Sequence, residues 1–102
     1  MARFDLYQTR SARIPFLVEV QSGLFDELSS RVVIPLIPAT RADTPTVPRL
    51  HPMIVIEDAR YCLVTSEITT VPLKSLQTRI GNIEAEHRDT ITAAMDFLFR
   101  GY

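Results

Sequence analysis

The 102-residue sequence is poor in the residues that build covalent or metal-centred chemistry: it has one cysteine, two histidines and three glycines. A lone cysteine, Cys62, cannot form an internal disulfide, which points to a reducing compartment. His51 and His87 stand far apart in the chain, and Cys62 is distant from both, so no set of residues has the spacing of a zinc site. There is no glycine-rich phosphate loop and no G-x-S-x-G elbow. Neither charge sign is in excess: 11 Lys and Arg against 12 Asp and Glu leave a net charge of −1. That balance argues against direct nucleic-acid binding, which needs a basic face to neutralise phosphates. The longest apolar run, "VVIPLIPA", falls well short of the about 20 residues that cross a bilayer. The start, "MARFDLYQTR", has no apolar run behind its charges and does not read as a signal peptide. The expectation is a cytoplasmic protein with no cofactor, no metal and no membrane contact.

What is present is an ordinary globular composition, 46% hydrophobic and 23% charged, in a length that suits one domain over 1–102. Phe4 and Leu6 alternate with Arg3, Asp5 and Tyr7, which predicts a first strand. "PFLVEVQS" puts Phe16, Val18 and Val20 on one face and Leu17, Glu19 and Gln21 on the other, the pattern of a half-buried strand. "RVVIPL" is a β-branched run at Val32 to Ile34; Pro35 cannot donate to a ladder, so this strand is expected at an edge, bulged, or ended there. Residues 38–52 hold four prolines and read as a surface loop. "MIVIEDARYCLVTS" reads as strand, tight turn at residues 57–60, strand; "ITTVPL" is one more short strand.

The period changes after Gly81. Asn82 is a suitable N-cap, and Glu84 and Glu86 suit the first turn of a helix expected over about 83–100. At about 100° per residue, Ile83, His87, Ile91, Ala94, Met95, Leu98 and Tyr102 share one stripe about 120° wide. Arg100 lies roughly 200° from its centre and faces outward, with Phe97 and Phe99 flanking the stripe. Gly101 supplies the stop. Five or six strands in 1–76 followed by one C-terminal helix give a mainly β or α+β fold, a small antiparallel sheet or barrel packed on that helix.

No active site emerges from these residues. His87, inside the apolar stripe, reads as a half-buried histidine with a hydrogen-bond partner, and Cys62 as a buried small hydrophobe. Ser66, Thr69 and Thr70 could face Glu67 or Asp58, but strand hydroxyls usually serve packing.

The ordered set of segments resembles the CcdB toxin family. "FLVEVQSGLFDELSSRVVIPL" (16–36), "HPMIVI" (51–56), "TSEITTVPLKSL" (65–76) and "IEAEHRDTITAAMDFLFRGY" follow that family's order and spacing, with V-Q-S, R-V-V-I-P-L and T-x-V-P-L the most specific parts. The resemblance implies a non-enzymatic toxin of a bacterial type II toxin–antitoxin module. It implies a homodimer with an SH3-like barrel sheet akin to the MazF-type ribonucleases. Its partners would be a CcdA-type antitoxin and the DNA gyrase A subunit, which the family traps with cleaved DNA. The gyrase-binding positions carried over are Ser22, Leu24, Leu98, Phe99, Arg100, Gly101 and Tyr102; Phe25 completes the apolar pair after V-Q-S. Two of these depart from the family: Arg100 stands where relatives have tryptophan, and Tyr102 replaces a terminal apolar residue. An alternative is therefore a CcdB-fold homolog with weakened or lost gyrase activity that still dimerises and binds antitoxin. A MazF-type endoribonuclease using Arg13, Arg31 and Arg41 with Thr65 is a further reading, disfavoured by the charge balance.

Overall fold

A computed structural model describes residues 2–40, 47–76 and 78–101; Arg41 and Tyr102 lie outside the described residues. Seven strands and one helix follow in order: β1 (Asp5–Gln8), β2 (Phe16–Glu19), β3 (Ser30–Pro38), β4 (Met53–Ile56), β5 (Ala59–Leu63), β6 (Thr69–Pro72), β7 (Thr78–Asn82) and α1 (Glu84–Arg100). They form one antiparallel, curled half-barrel sheet in the order β4-β5-β3-β2-β1-β7, with β6 also paired to β3. This is the mainly β, α+β arrangement that the pattern predicts.

The strand built on "RVVIPL" differs from its expectation. It is neither short nor at an edge: β3 has nine residues and pairs with β2, β5 and β6. Successive residues of a strand aim their backbone groups at alternate edges. The Val32 carbonyl accepts from Val20 N–H on the β2 side (3.0 Å), and the Pro35 carbonyl accepts from Val64 N–H on the other (2.9 Å). On that other edge β6 pairs only as far as Val33, and β5 begins at Leu36. The N–H that proline lacks therefore falls in the gap between two partner strands, where nothing asks for a donor.

Three boundaries also move. Phe4 precedes β1 in a turn, at a left-handed φ of 71°. Its N–H donates to the Glu19 carbonyl (2.6 Å) and its carbonyl accepts from Ile83 N–H (3.0 Å), so it ties β2 to the start of α1. The β4–β5 turn is confined to Glu57 and Asp58, both left-handed (φ 51° and 67°), with Ile56 already paired to Ala59. Strand structure runs past residue 76, because β7 pairs with β1 around a bulge. The sequence pattern misses β7: it is an almost wholly exposed edge strand, so it carries no apolar alternation.

One face of the sheet packs against α1. Phe4, Leu6, Val18, Val20, Ile34, Leu36, Ile54, Ile56 and Leu63 meet Ile83, Ile91 and Ala94 there, with Met95 partly buried against them. Over its described residues the helical stripe is as the spacing predicts. Ile83 rather than Asn82 holds the N-cap position, yet the Asn82 side chain still accepts from Glu84 N–H (2.9 Å). His87 is half-buried and donates through Nε2 to the Val55 carbonyl (3.0 Å).

The opposite face is not solvent-exposed along β2, contrary to the half-buried expectation. Glu19 is fully buried there, in line with Tyr7 and Val33, which pack with Leu76. Further along, Ile37, Cys62 and Val64 form a third cluster, and burial pushes the Cys62 thiol up.

Candidate functional site

The positions carried over by resemblance fall in two places. The first is the turn between β2 and β3. Ser22 caps a single 3-10 turn, Gly23–Phe25, by accepting Leu24 N–H at its side-chain oxygen (3.2 Å). Phe25 N–H donates to the Ser22 carbonyl (3.1 Å), and Leu28 N–H to the Phe25 carbonyl (3.1 Å). Gln21 braces the turn from its base: its Nε2 donates to the Phe25 carbonyl (3.0 Å) and its Oε1 accepts from Val32 N–H (3.1 Å). The outcome is an apolar knuckle in water: Leu24 is 87% exposed, and Phe25 and Leu28 are 53% exposed each.

The second place is the end of α1. Leu98 is half-buried, Arg100 is exposed, and Phe99 is 70% exposed. Gly101 ends the helix at φ 81°, its N–H donating to the Phe97 carbonyl (2.9 Å). This left-handed cap is the conformation that glycine adopts at no steric cost. Arg49 lies over the Phe97 ring, 4.3 Å from its centroid, and fastens the loop before β4 to the helix end. Tyr102 lies outside the described residues.

The strand leading into the first place ends beside the start of α1, and the second place is the other end of that helix. Val20, two residues before Ser22, sits with Glu19 and Phe4 beside the start of α1. Leu98 to Gly101 are at the other end of a 17-residue helix, about 25 Å away along its axis.

Beneath the knuckle lies a polar cluster that the pattern does not reveal. Arg31 is 2% exposed and Glu19 0%, with Arg31 Nε 3.5 Å from Glu19 Oε2. The Tyr7 hydroxyl donates to Glu19 Oε1 (3.4 Å). Burial raises the Glu19 carboxyl, although the Arg31 charge and the Tyr7 hydrogen bond oppose it. Burial, and then the Glu19 and Asp5 carboxylates, hold the Tyr7 phenol well above its ordinary range. Nearby, Asp5 takes hydrogen bonds from Ala2 N–H (2.8 Å) and Asn82 Nδ2 (3.0 Å), and pairs with Arg79 (3.1 Å). Burial alone would raise the Asp5 carboxyl, but these partners together leave it below its ordinary value.

This cluster corrects the ribonuclease reading. Arg31 and Thr65 are buried, so neither can meet RNA at the surface, and Arg41 lies outside the described residues. Ser66 faces neither Glu67 nor Asp58 in a hydrogen bond; its hydroxyl meets His51 Nε2 (2.8 Å). His51 Nδ1 is buried and has no hydrogen-bond partner among the described residues, so none of their carboxylates orients the ring as a serine–histidine catalyst requires. Burial lowers the His51 pKa below its ordinary value. No group of three or more metal-ligating side chains occurs among the described residues, and no described helix is long and apolar enough to cross a membrane.

A comparison with known families returns the CcdB family, described as CcdB protein, matching residues 3–101. The match takes in the knuckle, the buried cluster beneath it and the helix end alike. The chain therefore belongs to the CcdB family, a family of toxins that are not enzymes.

Proposed function

We propose that the protein is a cytoplasmic CcdB-type toxin that binds the gyrase A subunit as a homodimer, traps the gyrase–DNA cleaved complex, and is neutralised by a CcdA-type antitoxin. The observation that carries this reading is the exposure of Leu24 and Phe99 at positions the resemblance assigns to gyrase binding, with Phe25 exposed beside Leu24, in a chain matched to the family over residues 3–101. Exposed apolar side chains on a braced turn have no folding role and suit a docking contact. The dimer would bring one protomer's tail beside its partner's. Ser22 shapes the knuckle, Leu24 and Phe99 supply apolar contact area, Leu98 anchors the helix end, Gly101 turns the chain, and Arg100 and Tyr102 complete the tail.

Purified protein incubated with gyrase and DNA should accumulate cleaved complex, and a CcdA-type antitoxin should suppress it. Absence of both cleaved complex and gyrase binding would refute the reading.

Arg100 favours a second reading, a toxin fold with a weakened or altered target. The tryptophan of relatives buries on the order of 150–250 Å² and stacks on a gyrase arginine. A guanidinium in its place keeps little of that area and sets like charges together. Under this reading Arg100→Trp creates gyrase-dependent toxicity that the wild type lacks. Wild-type toxicity through gyrase would rule it out.

A further inference from the structure

We infer that Arg31 is a positioning residue that sets the shape of the Leu24 knuckle from beneath. This rests on the gyrase reading for what docks on the knuckle, but not for how the knuckle is held.

The knuckle has no apolar reason to keep one conformation. Leu24, Phe25 and Leu28 turn outward, so their burial contributes little to order. Gly23 adds a residue with a large conformational entropy to lose. Its local hydrogen bonds are those of one short 3-10 turn and the single Gln21 brace to the Phe25 carbonyl, at exposed positions open to water. What fastens it is polar and comes from below. The Arg31 guanidinium donates through Nη1 to the Leu28 and Ser30 carbonyls, the latter at 2.9 Å, and through Nη2 to the Asp26 carbonyl. Asp26 and Leu28 belong to the knuckle, and Ser30 opens β3. The planar fork reaches them together, which the single ammonium of lysine cannot do.

Glu19, one strand over, is the counter-charge that keeps this guanidinium buried, and the Tyr7 hydroxyl meets its other oxygen. The line Tyr7–Glu19–Arg31 thus runs from the rigid sheet to the carbonyls of the turn. A turn ordered before it meets a partner loses less entropy on docking, so the affinity gained through Leu24 depends on Arg31.

The test is 15N relaxation on the whole protein, paired with titration against the gyrase A subunit. In the wild type, order parameters for residues 24–28 should lie near the about 0.85 of rigid backbone; in Arg31→Lys they should drop below about 0.6, with β2, β3 and α1 unchanged. Gyrase A affinity should fall about tenfold or more, the scale of losing hydrogen bonds to a charged group. Leu24→Ala should cost less in the Arg31→Lys background than in the wild type, since a loosened knuckle no longer presents that side chain. Glu19→Gln, which keeps an acceptor and removes the charge, should loosen the same residues less; it carries the test if Arg31→Lys does not fold. A wild-type knuckle that is already mobile, a variant knuckle that stays rigid, loosening spread equally through the core, or a loosened knuckle with unchanged affinity would each overturn the inference. If the wild type binds no gyrase A, the relaxation result still decides the anchoring, and only the gyrase reading fails.

Discussion

Leu24 illustrates how a residue can matter to function while leaving stability untouched. Its side chain is 87% exposed, so Leu24→Ala should change unfolding free energy by no more than about 0.5 kcal/mol. The same substitution should weaken gyrase A binding by about tenfold, the loss expected on truncating one apolar anchor. Chemical denaturation and a binding titration on one preparation check both halves. His51 behaves oppositely, as a residue of stability. Its folded pKa lies below the ordinary 6.5, with burial as the main cause. A histidine of lowered pKa binds fewer protons folded than unfolded, so stability falls as pH drops through 6.5 and levels off below the folded pKa. Melting temperature should therefore decline between pH 7 and 5, and His51→Gln should flatten that slope; an equal slope in both proteins would assign it elsewhere. At this scale the sequence was only partly readable. Leu24 and Phe99 follow from resemblance and helical spacing. Glu19 and Arg31 did not show themselves, because alternation assigns charged residues to a solvent face and says nothing of what covers it.

Among the elements, α1 was the most legible, since seventeen residues carry several turns of periodic signal. Within its stripe Ile91 is fully buried against the sheet. Ile91→Ala should destabilise the protein by about 2–5 kcal/mol, the range for truncation in a closed core. Gly101→Ala forces an alanine into the left-handed region and should cost about 1 kcal/mol without touching any side-chain contact. The β4–β5 hairpin runs the other way. Glu57 and Asp58 both hold positive φ, as a type I′ turn requires, although Asn-Gly is the preferred pair. Replacing Glu57 and Asp58 by Asn and Gly should raise stability by about 0.5–1 kcal/mol in urea denaturation, and a loss would show that the acidic pair has another role. β3 and β7 mark where local reading stops. Pro35 looks like an end because a single sequence cannot show that two partner strands meet beside it. β7 has one exposed apolar residue, Ile80, and is a strand only because β1 offers it an edge.

For the molecule as a whole, the sheet and α1 hold two exposed apolar features, the knuckle and the helix terminus. A homodimer that sets the two helix ends side by side, as the gyrase reading requires, would turn the tails into one symmetric surface. Arg100 lies exposed at the helix end, and under the gyrase reading it weakens the contact. The relation between the two features was not legible beforehand, since it depends on where the helix runs across the sheet and on a second copy of the chain. The most direct test is calorimetric titration of the wild-type protein into the gyrase A dimer. The account predicts one toxin dimer bound per gyrase A dimer, weakened by Leu24→Ala and strengthened by Arg100→Trp. No heat of binding from either the wild type or Arg100→Trp would contradict it.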